Sequence, residues 1–163
     1  MAAATDLIEP DVLQRVLGAS LRTGGDFAEV FAEDRVNSSV MLDDGRIEEL
    51  ASGRERGAGI RVISGDTTGF AHTADLSEKG LLAAAEAAAA AARKADGQTR
   101  TIALTRRSVA APHAVVRPGL DVAKADKVAL VQRADAAARG AGGAIKQVTV
   151  GYGDSRRDRK SVV

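Results

Sequence analysis

The chain has 163 residues, enough for one domain or for one small domain with part of another. Apolar residues make up 45% of it but aromatics only 2%, so any core is built from Val, Leu, Ile and Ala. Lys and Arg number 23 against 22 Asp and Glu, which offers no basic face for nucleic acid, and the lack of Cys excludes disulfides and Cys-ligated zinc.

The first organised segment runs from Pro10 to Arg22. Val12, Leu13, Val16, Leu17 and Leu21 share one helical stripe, Pro10 suits the first turn, and Thr23-Gly24-Gly25 ends the helix. The period then changes to two. Phe27 to Asp34 alternates, and Val36, Ser38, Val40 and Leu42 continue the alternation up to Asp43-Asp44-Gly45. Asp-Gly between alternating runs predicts a hairpin, with the next strand over Arg46–Ser52. Two more strands are predicted at Ala58–Ile63 and Thr67–Ala71, joined by Ser64-Gly65-Asp66.

Asp75-Leu-Ser-Glu78 reads as a capping box that opens an Ala-rich helix running to Ala95, with Asp96-Gly97 as its stop. Residues 1–97 are therefore predicted as an α+β unit: a helix, an antiparallel meander of four to five strands, and a long Ala-rich helix. Residues 98–122 read as a linker with a short strand near Ile102–Leu104, and they carry Pro112, Pro118 and Gly119. Residues 123–157 read as the start of a second, incomplete α+β unit. Its helix spans Ala123–Arg139 with Val128, Val131, Ala134 and Ala138 inward, and its strand spans Ile145–Tyr152 with no visible partner. Residues 158–163, Asp-Arg-Lys-Ser-Val-Val, are what GAT CGG AAG AGC GTC GTG encodes, which resembles a sequencing adapter, so they are predicted to be a non-native tail. The other reading is a disordered basic tail.

The stretch Ala83–Ala92 carries Glu86 and is too short to cross a bilayer, and the N-terminus lacks a secretory pattern. The expectation is a cytoplasmic protein without membrane or direct nucleic-acid partners.

The chemistry-bearing residues are sparse. His72 and His113 lack a second ligand at helical spacing, and both read as loop histidines rather than metal ligands. Gly57-Ala-Gly59 leads into a strand instead of a helix, and Gly140, Gly142 and Gly143 follow one, so neither cradles phosphate. Asp43-Asp44 and Glu48-Glu49 read as solvated hairpin charges rather than a catalytic dyad. No catalytic or metal-binding residue is predicted, and the substrate-binding residues are left open.

Asp26-Phe-Ala-Glu-Val-Phe31, Asp44-Gly-Arg-Ile-Glu-Glu49 and the ordered segment Gly57-Ala-Gly-Ile-Arg-Val-Ile-Ser-Gly-Asp-Thr-Thr-Gly-Phe-Ala71 together resemble the N-terminal domain of the TldD/PmbA metallopeptidase family. Ile145–Val150 resembles the start of its middle region, and the Arg-x-Ile-Ser-Gly form leans toward a TldD-type subunit. The resemblance implies the truncated front of a zinc metallopeptidase subunit that cleaves unfolded peptides beside a PmbA/TldE-type partner. Its HExxxH helix and a later Cys would lie beyond Arg157, so the resemblance implies that this fragment alone binds no zinc and is inactive. The alternatives are a non-catalytic PmbA/TldE-type subunit or a stand-alone protein-interaction module. The family's older association with DNA gyrase finds no support in a neutral charge balance.

Overall fold

The computed structural model describes residues 7–92, 104–105 and 115–163. The fold is α+β. Its elements are α1 (Pro10–Leu21), β1 (Phe27–Asp43), β2 (Arg46–Ser64), β3 (Thr67–Thr73), α2 (Glu78–Ala91), a 3-10 turn (Gly119–Asp121), α3 (Lys124–Gly140) and β4 (Thr149–Val162). The strands form one sheet in the order β3-β2-β1-β4.

Where the sequence pattern suggested four to five short strands, β1 and β2 run unbroken for 17 and 19 residues. The intervening residues explain this. Neither Asp34-Arg35 nor the stretch from Gly53 to Gly57 contains a proline or closes a turn, so nothing interrupts the ladder. The Asp44-Gly45 hairpin forms as predicted, with φ of 44° and 83°, the paired positive values of a type I′ turn. β4 begins later than expected and runs through Asp158–Val162. Its neighbour is β1, a pairing across more than a hundred residues that no local pattern shows.

The chain divides into two compact units, neither contiguous in sequence. The first comprises Met1–Asp34, Arg56–Val109 and Asp158–Val163; the second comprises Arg35–Glu55 and Ala110–Arg157.

In the first unit, alternation sends Ala28, Val30 and Ala32 of β1 and Ala58, Ile60 and Val62 of β2 to one face, against Leu13, Val16 and Leu17 of α1 and Leu81, Ala85 and Ala88 of α2. The small side chains of α2 allow a close approach. A Cβ added at Gly69 of β3 would lie 2.0 Å from the Ala88 carbonyl oxygen, so glycine is required by the helix backbone itself. The start of α2 departs from the expected capping box. Ser77, not Asp75, is the N-cap and accepts from the Gly80 amide, while Asp75 accepts from the Ser77 amide. Glu78 does not fold back, because the Arg15 guanidinium of α1 holds it. Leu104 packs against this core, whereas Ile102, residues 93–97 and His113 lie outside the described residues.

The second unit has a smaller core of Val40, Leu42 and Val131, flanked by Ile47, Val128, Val150 and Tyr152. The inward stripe of α3 is rotated from the expected one: Lys127, Val131 and Asp135 are buried, while Ala134 is exposed. Two charged residues at i and i+8 face inward because each meets partners on the strands or on its own helix.

Candidate functional site

Among the described residues, no group of three or more His, Cys, Asp or Glu side chains is placed to hold a metal ion. His72, expected in a loop, lies in strand β3 opposite Gly59, because the β2–β3 ladder continues to Thr73. Its exposed ring sits 6.4 Å from that of Phe70. The donor set among the described residues does not fit a zinc centre.

A cluster of ionisable groups withdrawn from water lies in the second unit, and no feature of the sequence singled it out. Lys127 of α3 is 4% exposed. Its Nζ donates to Ser38 Oγ at 2.6 Å and to Asp154 Oδ2 at 2.7 Å. Ser38 Oγ and the Tyr152 hydroxyl each donate to the same Oδ2 at 2.8 Å. The ammonium also lies 5.7 Å from the Tyr152 ring centroid, a cation–π contact. Burial by itself pushes the Asp154 carboxyl up. The hydrogen bonds from Lys127, Ser38 and Tyr152, aided by the Lys127 charge, outweigh that and hold it below the usual carboxylate range. The Tyr152 hydroxyl moves up, because its hydrogen bond to Asp154, then burial, then the carboxylate charge all oppose ionisation.

This arrangement is not that of an activated serine. A nucleophile needs a base that takes its proton, yet Lys127 donates to Ser38 and the Ser38 proton is directed at an ion-paired carboxylate. Gly119 closes the cluster from above: a Cβ there would meet Asp154 Cγ at 2.7 Å. What the geometry does is position α3 against β1 and β4.

A second clamp grips the hairpin turn. Arg139 of α3 donates to Asp44 at 2.6 Å and to Asp135 at 3.0 Å, and its guanidinium is held above its ordinary value, first by the Asp44 hydrogen bond. Asp43 accepts from Thr149 Oγ1 at 2.7 Å and from Gln147 Nε2, and these bonds pull its carboxyl down. The Asp43-Asp44 pair, expected as solvated turn charge, is thus engaged by residues about a hundred positions away.

The segment Gly57–Ala71 occupies the first unit as a structural frame. Gly65 takes φ 56° in the β2–β3 turn, and its amide donates to Asp26 Oδ2 at 2.8 Å, while the Asp26 amide donates to the Ile63 carbonyl. Gly59 gives room to the Phe70 ring, and Arg61 pairs with Glu29 across the strands. The ordered residues of this motif are accounted for by turn geometry, close approach and one cross-strand ion pair.

Residues 28–92 match the family model for domain 1 of the PmbA/TldA metallopeptidases. The chain is 30% identical over 117 residues to the metalloprotease TldD homolog of Haemophilus influenzae, covering 70% of this chain and 24% of that protein. A metalloprotease of Methanothermobacter thermautotrophicus is 33% identical over 76 residues, 47% of this chain and 16% of its own length. Among solved structures, a protein of Bacteroides thetaiotaomicron described as a modulator of DNA gyrase superposes with a TM-score of 0.70 at 19% identity, over 98% of this chain and 37% of that one. TldE from Thermococcus kodakarensis superposes with a TM-score of 0.64 at 13% identity, over 92% of this chain and 34% of that one. The chain thus spans about a quarter or less of the curated relatives it matches, and the solved structures speak to its fold alone. With the ordered Gly57–Ala71 segment inside the matched stretch, this chain carries an N-terminal region of the PmbA/TldD family.

Proposed function

We propose that this chain is the N-terminal portion of a TldD-type zinc metallopeptidase subunit that cleaves unfolded peptides in the cytoplasm beside a PmbA/TldE-type partner. The observation that carries the reading is the 30% identity to the Haemophilus influenzae TldD homolog across 117 residues. In this reading the zinc ligands and the general base belong to polypeptide beyond Arg157. The contribution of the present residues is a sheet that shapes the peptide cleft. Sheet edges suit unfolded substrates, because main-chain hydrogen bonding to an added strand does not depend on side-chain identity.

The test is to sequence the coding region past the Arg157 codon and then assay the encoded subunit, with its partner, for zinc content and hydrolysis of an unfolded peptide. An HExxxH helix with a later Cys, bound zinc and cleavage are the expected results. A continuing frame without that motif would make the subunit the non-catalytic PmbA/TldE-type partner. A genuine stop would leave a protein-interaction module.

A further inference from the structure

The sheet ends on two edge strands of opposite character. β4, at one edge, carries Asp154, Arg156, Arg157, Asp158, Arg159 and Lys160 within its 14 residues, the kind of charge that keeps an edge strand from adding to another sheet. β3, at the other edge, has no such protection. From Thr67 to Ala74 the chain reads Thr-Thr-Gly-Phe-Ala-His-Thr-Ala, without Lys, Arg, Asp, Glu or Pro. β3 pairs with β2 at seven consecutive positions, from Ala58–Thr73 to Ser64–Thr67, so no bulge turns it aside. Among the described residues no strand lies on its other side, and that row of backbone N–H and C=O groups is a template for a further strand. Phe70, at the middle of β3, is 61% exposed.

This strand is its own complement. A two-fold axis through Phe70, perpendicular to the sheet, sets a second β3 antiparallel to the first with all seven residues in register. Phe70 then meets Phe70 of the other copy, Thr68 meets His72, and Thr67 meets Thr73. These are aromatic and β-branched pairs, and no acidic or basic side chains are set opposite one another. The layer beneath β3 fits the same symmetry. α2 lies directly on β3, with Gly69 against the Ala88 backbone, and the ion pairs Arg15–Glu78 and Arg22–Glu86 place α1 on one flank of α2. The opposite flank carries Gly80, Ala84, Ala87 and Ala91, small uncharged residues that let a second α2 lie alongside. Two layers, each about 10 Å thick, along a strand about 24 Å long present on the order of 500 Å² per copy. The total of about 1,000 Å² is that of a weak, reversible interface rather than an obligate one.

We infer that two copies of this chain join through β3, forming one continuous antiparallel sheet across the uncharged edge with their α2 helices side by side. The inference goes beyond the peptidase reading and does not rest on it, since zinc content and cleavage are read out separately from self-association.

The experiment uses the 163-residue chain, whose lack of Cys gives a clean background for cross-linking. In the proposed pair the two copies of residue 70 lie on the axis with Cα atoms about 4.5–5.5 Å apart, within the span of a disulfide. Phe70→Cys should therefore oxidise to a covalent dimer at least about tenfold faster than Ser155→Cys, an exposed position on β4. Sedimentation equilibrium should show the native chain passing from monomer to dimer as its concentration rises. Phe70→Lys and, independently, Thr68→Lys should remain monomeric while melting as the native chain does, because both side chains are exposed and a lysine on the edge opposes pairing. A native chain that is monomeric at every concentration overturns the inference, as does a dimer that both lysine variants keep. Faster cross-linking of Ser155→Cys overturns it in favour of the β4 edge. A monomeric chain that binds a fluorescent unfolded peptide, and loses that binding in Phe70→Lys, overturns it in favour of a peptide strand at β3.

Discussion

Three donors converge on Asp154 Oδ2, from Lys127, Ser38 and Tyr152, and this sets the behaviour of the second unit under acid. A carboxyl held below its unfolded value contributes stability that is complete above the unfolded pKa, near about 4, and is lost as pH falls through the lowered folded value. Melting temperature should therefore fall as the solution is taken below about pH 4. Asp154→Asn should be less stable at neutral pH and lose less on acidification; an unchanged acid slope would show that the cluster does not govern it. Removing the cation is the harsher change. Lys127→Ala leaves the carboxylate enclosed without its counter-ion and should cost about 3 kcal/mol in urea denaturation. Gly69→Ala tests a different constraint, since its Cβ would run into the α2 backbone at the Ala88 carbonyl and the Ala92 nitrogen. A loss of about 1–3 kcal/mol is expected, and a neutral outcome would mean that α2 can slide away from β3.

Helices α2 and α3 are both rich in alanine yet are held differently. α2 buries Leu81, Ala84, Ala85, Ala88 and Ala89. In α3 the buried residues are Lys127, Val131 and Asp135. Apolar burial is not weakened by charge screening, whereas the exposed part of an ionic clamp such as Arg139–Asp44 is screened. Amides of α3 should thus exchange with deuterium before those of α2, and the gap should widen in high salt. Equal protection under both conditions would mean that Val131 and its neighbours suffice. The contrast also shows what could be read from the sequence. Alanine content and Asp44-Gly45 encode local geometry, so the position of α2 and the tight β1–β2 turn were legible. The inward stripe of α3 was misplaced because Lys127 and Asp135 look like solvent-facing charges until Asp154, Ser38 and Arg139 are beside them. His72 was misplaced for a related reason. Nothing after Ala71 looks like strand, and it is the pairing of Ala58 with Thr73 that carries the ladder to its end.

At the scale of the whole chain, the question is whether these 163 residues can hold the metal that the family's name implies. A structural or catalytic zinc site takes three or four donors from Cys, His and carboxylates at close range. The chain has no Cys and two His, so at least one carboxylate would have to complete any site. Several of the described carboxylates are already engaged. Asp154 and Asp44 hold Lys127 and Arg139, Glu29 and Glu78 hold Arg61 and Arg15, Asp43 holds Thr149 and Gln147, and Asp26 holds the Gly65 amide. Recruiting any of them would break an interaction that locates an element, and among the described residues His72 belongs to no group of three or more metal-binding side chains. Purified chain dialysed after exposure to zinc should therefore retain none at stoichiometric level by elemental analysis, and its melting temperature should not change on adding a chelator. Zinc that survives dialysis one-to-one would place a complete site within these residues. In that case the division of labour proposed here, with the sheet in this chain and the metal in the polypeptide that follows, would have to be abandoned.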